Sequence, residues 1–150
     1  MRVILQRSKY SKVTIDGKVN GEIDNGFVLL SGFKPGDNEL IVDKMIDKIV
    51  NLRVFEDENE KMNLSLLDTN GSILNISQFT LYADTKKGRR PSFINAMAPG
   101  EAEILYKYMN QKLSEIVHTE TGIFGADMKV EIYNDGPVTI VLSSSSGNCT

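Results

Sequence analysis

The chain has 150 residues, and its 41% hydrophobic and 25% charged content is that of a globular domain, not of a disordered or fibrous chain. No apolar run approaches the roughly 18 residues of a membrane helix, a formal net charge of −3 argues against a general polyanion binder, and the single histidine, His118, excludes a two-histidine metal site. One cysteine, Cys149, allows neither a disulfide framework nor a thiolate cluster, which points to a reducing cytoplasm.

Met1 to Gln6 is a short β-rich run with neither the length nor the cleavage site of a signal peptide. Val3 to Gln6 and Lys12 to Ile15 read as strands, the second because Val13 and Ile15 alternate with Lys12 and Thr14. Asp16-Gly17 is a hairpin turn signal, returning through Val19 to Ile23, and Asp24-Asn25-Gly26 leads into the apolar strand Phe27 to Leu30. Pro35-Gly36-Asp37 punctuates the chain, with Asp37 as the expected helix cap. From Leu40 the apolar period becomes helical, with Asp43, Lys44, Asp47 and Lys48 on the wet side.

Arg53 to Phe55 reads as extended and Glu56 to Lys61 as a polar loop. Asn70-Gly71 predicts a hairpin between Leu64–Leu67 and Ile73–Ile76. A second helix is expected from Pro99 or Gly100, where proline suits the first turn and Glu101 and Glu103 complement the dipole. Strands at about Met128–Tyr133 and Val138–Leu142 close the pattern. The polar stretch from Ser143 reads as a frayed end. The reading is one domain, residues 1–143, with a tail over 144–150. Its class is α+β: a mostly antiparallel, curled or barrel-like sheet with two main helices packed on it.

Three segments can carry chemistry. Ser77-Gln78-Phe79-Thr80-Leu81, at a strand end, offers hydroxyl and amide groups and consecutive backbone N–H groups for an oxyanion; its plain alternative is an ordinary strand end. Asn134-Asp135-Gly136-Pro137-Val138-Thr139 has turn composition, and a cis Gly136-Pro137 bond would make it a rigid gauge. Lys86-Lys87-Gly88-Arg89-Arg90 is either a solvated loop or a phosphate patch, which Arg2, Arg7, Lys9 and Lys12 could extend.

Ser77–Leu81 and Asn134–Thr139 resemble the two signature motifs of the D-aminoacyl-tRNA deacylase family, in the form shared by bacteria and eukaryotes. The opening Met-Arg-Val-Ile-Leu-Gln-Arg, the stretches 48–55 and 86–93, and Thr121–Met128 are similar to further family segments in the same order. The resemblance implies hydrolysis of the ester joining a D-amino acid, or glycine, to the 3′ adenosine of tRNA, with the L ester spared. No cofactor and no metal are expected, since carboxylates such as Asp127 and Asp135 have no histidine or cysteine partners nearby in the sequence. The resemblance also implies a homodimer in which Gly136-Pro137 of one subunit enters the other's active site. The catalytic pocket maps onto Ser77, Gln78, Phe79 and Thr80, and the adenine-holding segment onto Phe124, Gly125 and Met128. Arg7, Lys86, Lys87, Arg89 and Arg90 are the expected tRNA phosphate contacts, with neither DNA nor membrane as partner.

On mechanism, the residues favour water as nucleophile, with backbone N–H groups near Phe79 and Thr80 at the oxyanion, and the resemblance implies assistance by the tRNA 2′-hydroxyl. A hydroxyl without an adjacent base is a poor nucleophile, which sets covalent attack by Thr80 second; His118 reads as a helix-end histidine. A non-catalytic tRNA 3′-end binding module and a small-molecule regulatory domain are the competing classes.

Overall fold

A computed structural model describes residues 1–145 and 148–149. The chain opens in β1 (Arg2–Ile15), one long strand where the sequence predicts two. Pairing shifts on either side of Ser8 let it bend without breaking. Val3 and Leu5 of its first half join one core, and Val13 of its second half joins another. β2 (Lys18–Ile23) returns over the two-residue turn and pairs with the second half; β3 (Gly26–Gly32) pairs with the first.

The first helix, α1 (Glu39–Asn51), is capped by Asn38, whose side chain accepts from the Ile41 N–H at 3.1 Å. Asp37 is not the cap. Its carboxylate is buried, takes the Lys34 N–H at 2.8 Å, and pairs with the Met1 ammonium at 2.6 Å. α1 buries Val42, Met45, Ile46, Ile49 and Val50, the helical spacing that the sequence shows. A two-stranded ribbon follows, β4 (Phe55–Glu56) and β5 (Met62–Leu64).

The hairpin expected at Asn70-Gly71 does not form. Ser65 and Asp68 make a capping box for a single helical turn, α2 (Leu66–Thr69), and Asn70 ends it in the left-handed conformation at φ 53°. The capping box also holds the Asp68 carboxyl below its ordinary range, through hydrogen bonds from Ser65. β6 (Ser72–Ser77) then pairs in parallel with β3. A 3-10 turn spans Phe79–Tyr82, and α3 (Pro99–Ser114) starts at the predicted proline. β7 (Thr119–Thr121), β8 (Lys129–Ser145) and β9 (Asn148–Cys149) complete the chain.

The sheet order is β7-β6-β3-β1-β8-β9, with β2 added on β1. The two main helices cover one face, over Val3, Leu5, Phe27, Leu29 and Ile73. On the other face the sheet curls over a second core of Val13, Ile23, Val28, Leu74 and Ile76, closed by Met128, Val130 and Ile132. The architecture is the expected α+β domain with a nearly closed, barrel-like sheet.

β8 is also one strand where two are predicted, because both its halves pair with β1. Asn134 lies opposite Ser8 and Thr139 opposite Gln6, so residues 135–138 bulge out opposite Arg7 alone. The strand continues past Ser143: the Ser144 N–H donates to the Met1 carbonyl at 2.9 Å. Of the expected polar tail, Ser146, Gly147 and Thr150 lie outside the described residues.

Candidate active site

β6 and the 3-10 turn after it carry the first motif. The Gln78 N–H donates to the Ser31 carbonyl at 2.8 Å, which continues the parallel ladder for one more residue. The turn then crosses close over Gly32, where a Cβ would lie 2.7 Å from the Gln78 carbonyl oxygen and 3.2 Å from the Leu81 Cβ. At the far end of the turn, Arg2 donates to the Leu81 carbonyl at 2.8 Å and lies over the Tyr82 ring. Burial there pushes the Tyr82 hydroxyl up to about 12.

Beside this turn lies a cavity of about 570 Å³. From β6 and the turn it is lined by Ile76, Ser77, Gln78 and Phe79, and from the chain leading into β8 by Phe124, Gly125, Ala126, Met128 and Val130. Met97, Ala98, Pro99 and Ala102, at and just before the start of α3, complete the lining, and Phe93 stands edge-on to Phe79 with ring centroids 4.9 Å apart. The fold thus brings together Ser77, Gln78 and Phe79 with Phe124, Gly125 and Met128, the two groups that the resemblance assigns to ester and adenine. Phe79 is 55% exposed, an unusual position for a large apolar ring unless something covers it. Thr80 sits next along the turn and is exposed; its hydroxyl accepts from the Gln78 side-chain amide at 2.5 Å.

The walls rest on a buried polar network. The Ser31 hydroxyl donates to Asn75 Oδ1, and Asn75 Nδ2 donates to Asn110 Oδ1, both at 2.7 Å. The Tyr106 hydroxyl donates to the Asn75 carbonyl at 2.7 Å, and burial raises its pKa. Sequence reasoning passes over Asn75, whose one signal is an amide inside the apolar run Ile73-Leu74-Asn75-Ile76. It also passes over Ala96 to Pro99 and Ala102, small residues whose value is the space they leave.

The basic segment is a loop, and none of its cations lines this cavity. Its base is closed by paired backbone hydrogen bonds between Asp84 and Ser92, at 2.7 and 2.9 Å. Lys86, Lys87, Arg89 and Arg90 are exposed, and among the described residues none of them meets a carboxylate in an ion pair. Lys86 also borders a second hollow of about 250 Å³, shared with Arg2, Tyr82, Asp84, Thr85 and Asn95.

Arg7 does not belong with those cations. It is 5% exposed, and its guanidinium donates to the Asp135 and Val54 carbonyls, each at 2.8 Å, with Glu56 and the Asp135 carboxylate within 3.8 and 3.6 Å. Alternation along β1 puts Arg7 on the buried face with Val3 and Leu5, at the position opposite the β8 bulge. The bulge itself is tied by Asn134, whose Oδ1 accepts the Val138 N–H at 2.7 Å. Gly136-Pro137, a cis peptide, stands exposed at its tip, with Gly136 at φ 142°. A Cβ on Gly136 would meet Val138 Cγ2 at 2.8 Å and Val138 N at 2.9 Å. Neither Gly136 nor Pro137 lines the cavity of its own chain.

The chemical means at the cavity are few. His118 is exposed and 3.5 Å from Glu120, and it is not among the lining residues. Among the described residues no group of three or more His, Cys, Asp or Glu is arranged to hold a metal, and no helix is long and apolar enough to cross a membrane. The Thr80 hydroxyl has an amide, not a base, as its hydrogen-bonding partner.

Residues 4–143 match the family profile described as D-Tyr-tRNA(Tyr) deacylase. The chain is 54% identical over 143 residues to a D-aminoacyl-tRNA deacylase of Lactobacillus acidophilus, covering 95% of this chain and 99% of that protein. A solved structure named c-Myc DNA unwinding element binding protein superposes with a TM-score of 0.92 at 39% identity, over 97% of this chain and all of that one. A second, described as a "probable eukaryotic D-amino acid tRNA deacylase", shares the fold at a TM-score of 0.80 and 16% identity, over 93% and 97% of the two chains.

Proposed function

This chain belongs to the D-Tyr-tRNA(Tyr) deacylase family and is a hydrolase of D-aminoacyl-tRNA, and from that premise we propose how its cavity does the work and what it spares. The terminal adenosine lies against Phe124, Gly125 and Met128, and the ester carbonyl lies at the Ser77–Thr80 turn. The observation that carries this reading is that two segments distant in sequence line one cavity.

Ester hydrolysis needs a nucleophile, a route for its proton and stabilisation of the oxyanion. The first N–H groups of a helical turn have no partner within the turn, so those of Phe79 and Thr80 are free to receive the oxyanion. Water attacks the carbonyl carbon, the tRNA 2′-hydroxyl assists the proton transfer, and the C–O bond to the 3′ oxygen breaks. The products are free tRNA and the amino acid. Covalent attack by Thr80 is the second reading, disfavoured because no base adjoins its hydroxyl.

Chirality is read by exclusion. Gly136-Pro137 of a second copy of this chain closes the cavity on the side where an L side chain would project, and glycyl esters pass because they carry none. Two features support this. The motif is exposed and does not line its own cavity. In addition, the cross-strand row Val141–Ile4–Leu30–Ile76 leads from Val141, 58% exposed, to the cavity wall. Lys86, Lys87, Arg89 and Arg90 meet phosphates of the same RNA; what supports this is that all four are exposed, and that their loop leads into Phe93 of the cavity lining.

The test is hydrolysis of matched D-, L- and glycyl-aminoacyl-tRNA. We expect release from the D and glycyl esters and retention of the L ester, with Thr80→Ala reduced only mildly. Equal cleavage of D and L esters would reject the exclusion model, and abolished turnover in Thr80→Ala with intact tRNA binding would establish the covalent one.

A further inference from the structure

We propose that Asn75, which lies outside the cavity, is a positioning residue that fixes the spacing between its two walls; the proposal rests on the deacylase reading of that cavity. Asn75 is fully buried in the middle of β6, between parallel neighbours on both sides, Leu29 of β3 and Thr121 of β7. Its flanking residues Ile73, Leu74 and Ile76 are apolar and also buried. A hydrocarbon of similar size would fill this place without desolvating an amide. A buried amide is tolerable only when satisfied, and here each polar atom is spent on a different part of the site.

The side-chain oxygen takes the Ser31 hydroxyl, and the Ser31 carbonyl holds the Gln78 N–H. That arm leads to the ester-facing wall. The side-chain nitrogen donates to Asn110 of α3, the helix whose first turn lines the cavity. The backbone carbonyl takes two donors, the Tyr106 hydroxyl at 2.7 Å and the Gly122 N–H at 3.3 Å. Tyr106 packs its ring against Phe124 at 6.0 Å, and Gly122 begins the segment that carries Phe124 to Met128. That arm leads to the adenine-facing wall. The Asn75 side chain therefore ties β3 and α3 to β6, at the residue whose main-chain carbonyl holds the Gly122–Met128 segment. No buried side-chain polar atom in the network lacks a partner. Loss of one amide leaves Ser31 without its acceptor and removes the tie to α3 together.

Misplacing a reacting group by about 1 Å costs on the order of 100-fold in rate, so a spacing residue acts on turnover more than on binding. The test is steady-state hydrolysis of D-aminoacyl-tRNA by wild type, Asn75→Val, Ser31→Ala and the double variant, each assayed well below its own thermal midpoint. Turnover by the wild type establishes the deacylase reading on its own; its absence would reject that reading and, with it, the proposal. Given wild-type turnover, Asn75→Val should lose about tenfold or more in kcat while KM changes less than about threefold. The double variant, which removes the stranded Ser31 hydroxyl, should regain thermal midpoint but not kcat. If Asn75→Val does not fold, Ser31→Ala breaks the ester-facing arm alone and should lower kcat with KM held. A folded Asn75→Val with wild-type kcat, a kcat that recovers together with the midpoint in the double variant, or an unchanged kcat in Ser31→Ala would each overturn the proposal.

Discussion

A guanidinium enclosed as Arg7 is, with two backbone carbonyls accepting from it and two carboxylates close by, can be replaced only at a cost. Lysine carries the same charge but not the planar fork, so it cannot serve the Asp135 and Val54 carbonyls together. Arg7→Lys should therefore destabilise the fold by about 1–3 kcal/mol and lower turnover, while the salt dependence of tRNA binding stays as in the wild type. Thermal denaturation and binding at several salt concentrations check both halves. A salt slope reduced by the equivalent of about one phosphate would return Arg7 to the basic patch. What misleads here is charge: strand alternation puts Arg7 on the same buried face as Val3 and Leu5, while a cation by itself suggests a surface position. The Val54 and Asp135 carbonyls that enclose it come from distant parts of the chain.

Elements are legible where one local device decides them. α1 and α3 follow from apolar spacing and, for α3, from Pro99 at the first turn. Asn70-Gly71 misleads because the same dipeptide serves a hairpin and a helix C-cap, and the capping box at Ser65 and Asp68 decides for the helix. The strands β1 and β8 each read as two, since their continuity is set by pairing with one another and not by local composition. The basic loop is legible as a loop and as a cluster of charge. The Asp84–Ser92 closure at its base is not, because it pairs residues eight apart with no turn signal that marks the pair. Replacing Lys86, Lys87, Arg89 and Arg90 with alanine should flatten the salt dependence of tRNA binding by roughly 0.7–0.9 for each phosphate no longer neutralised, and weaken binding with little effect on the fold. Binding isotherms from low to high salt measure this; an unaltered slope would mean that these side chains meet only solvent.

At the scale of the molecule, the sheet must curl for the site to exist. Ile76, Met128 and Val130 reach the cavity wall because the second core draws β6 toward the start of β8. That closure is expected as a class, α+β with a barrel-like sheet, while the meeting of the Ser77–Thr80 turn with Phe124–Met128 comes from family likeness and not from periodicity. The exposed Gly136-Pro137 tip, by contrast, has no function within one protomer that its own cavity explains. In an isologous dimer each copy would give its tip and receive one, so two sites are completed at once.

Subunit mixing tests that exchange directly. Ala126→Trp fills the cavity and leaves the tip intact; Gly136→Val distorts the tip, where Val138 leaves no room for a Cβ, and leaves the cavity intact. Each variant alone should be inactive on D-aminoacyl-tRNA. After dissociation and re-association, half of the dimers are mixed and each has one complete site, which predicts about a quarter of wild-type activity. A mixture as inactive as its parents, or a Gly136→Val protein that works unaided, would contradict a site built from two chains.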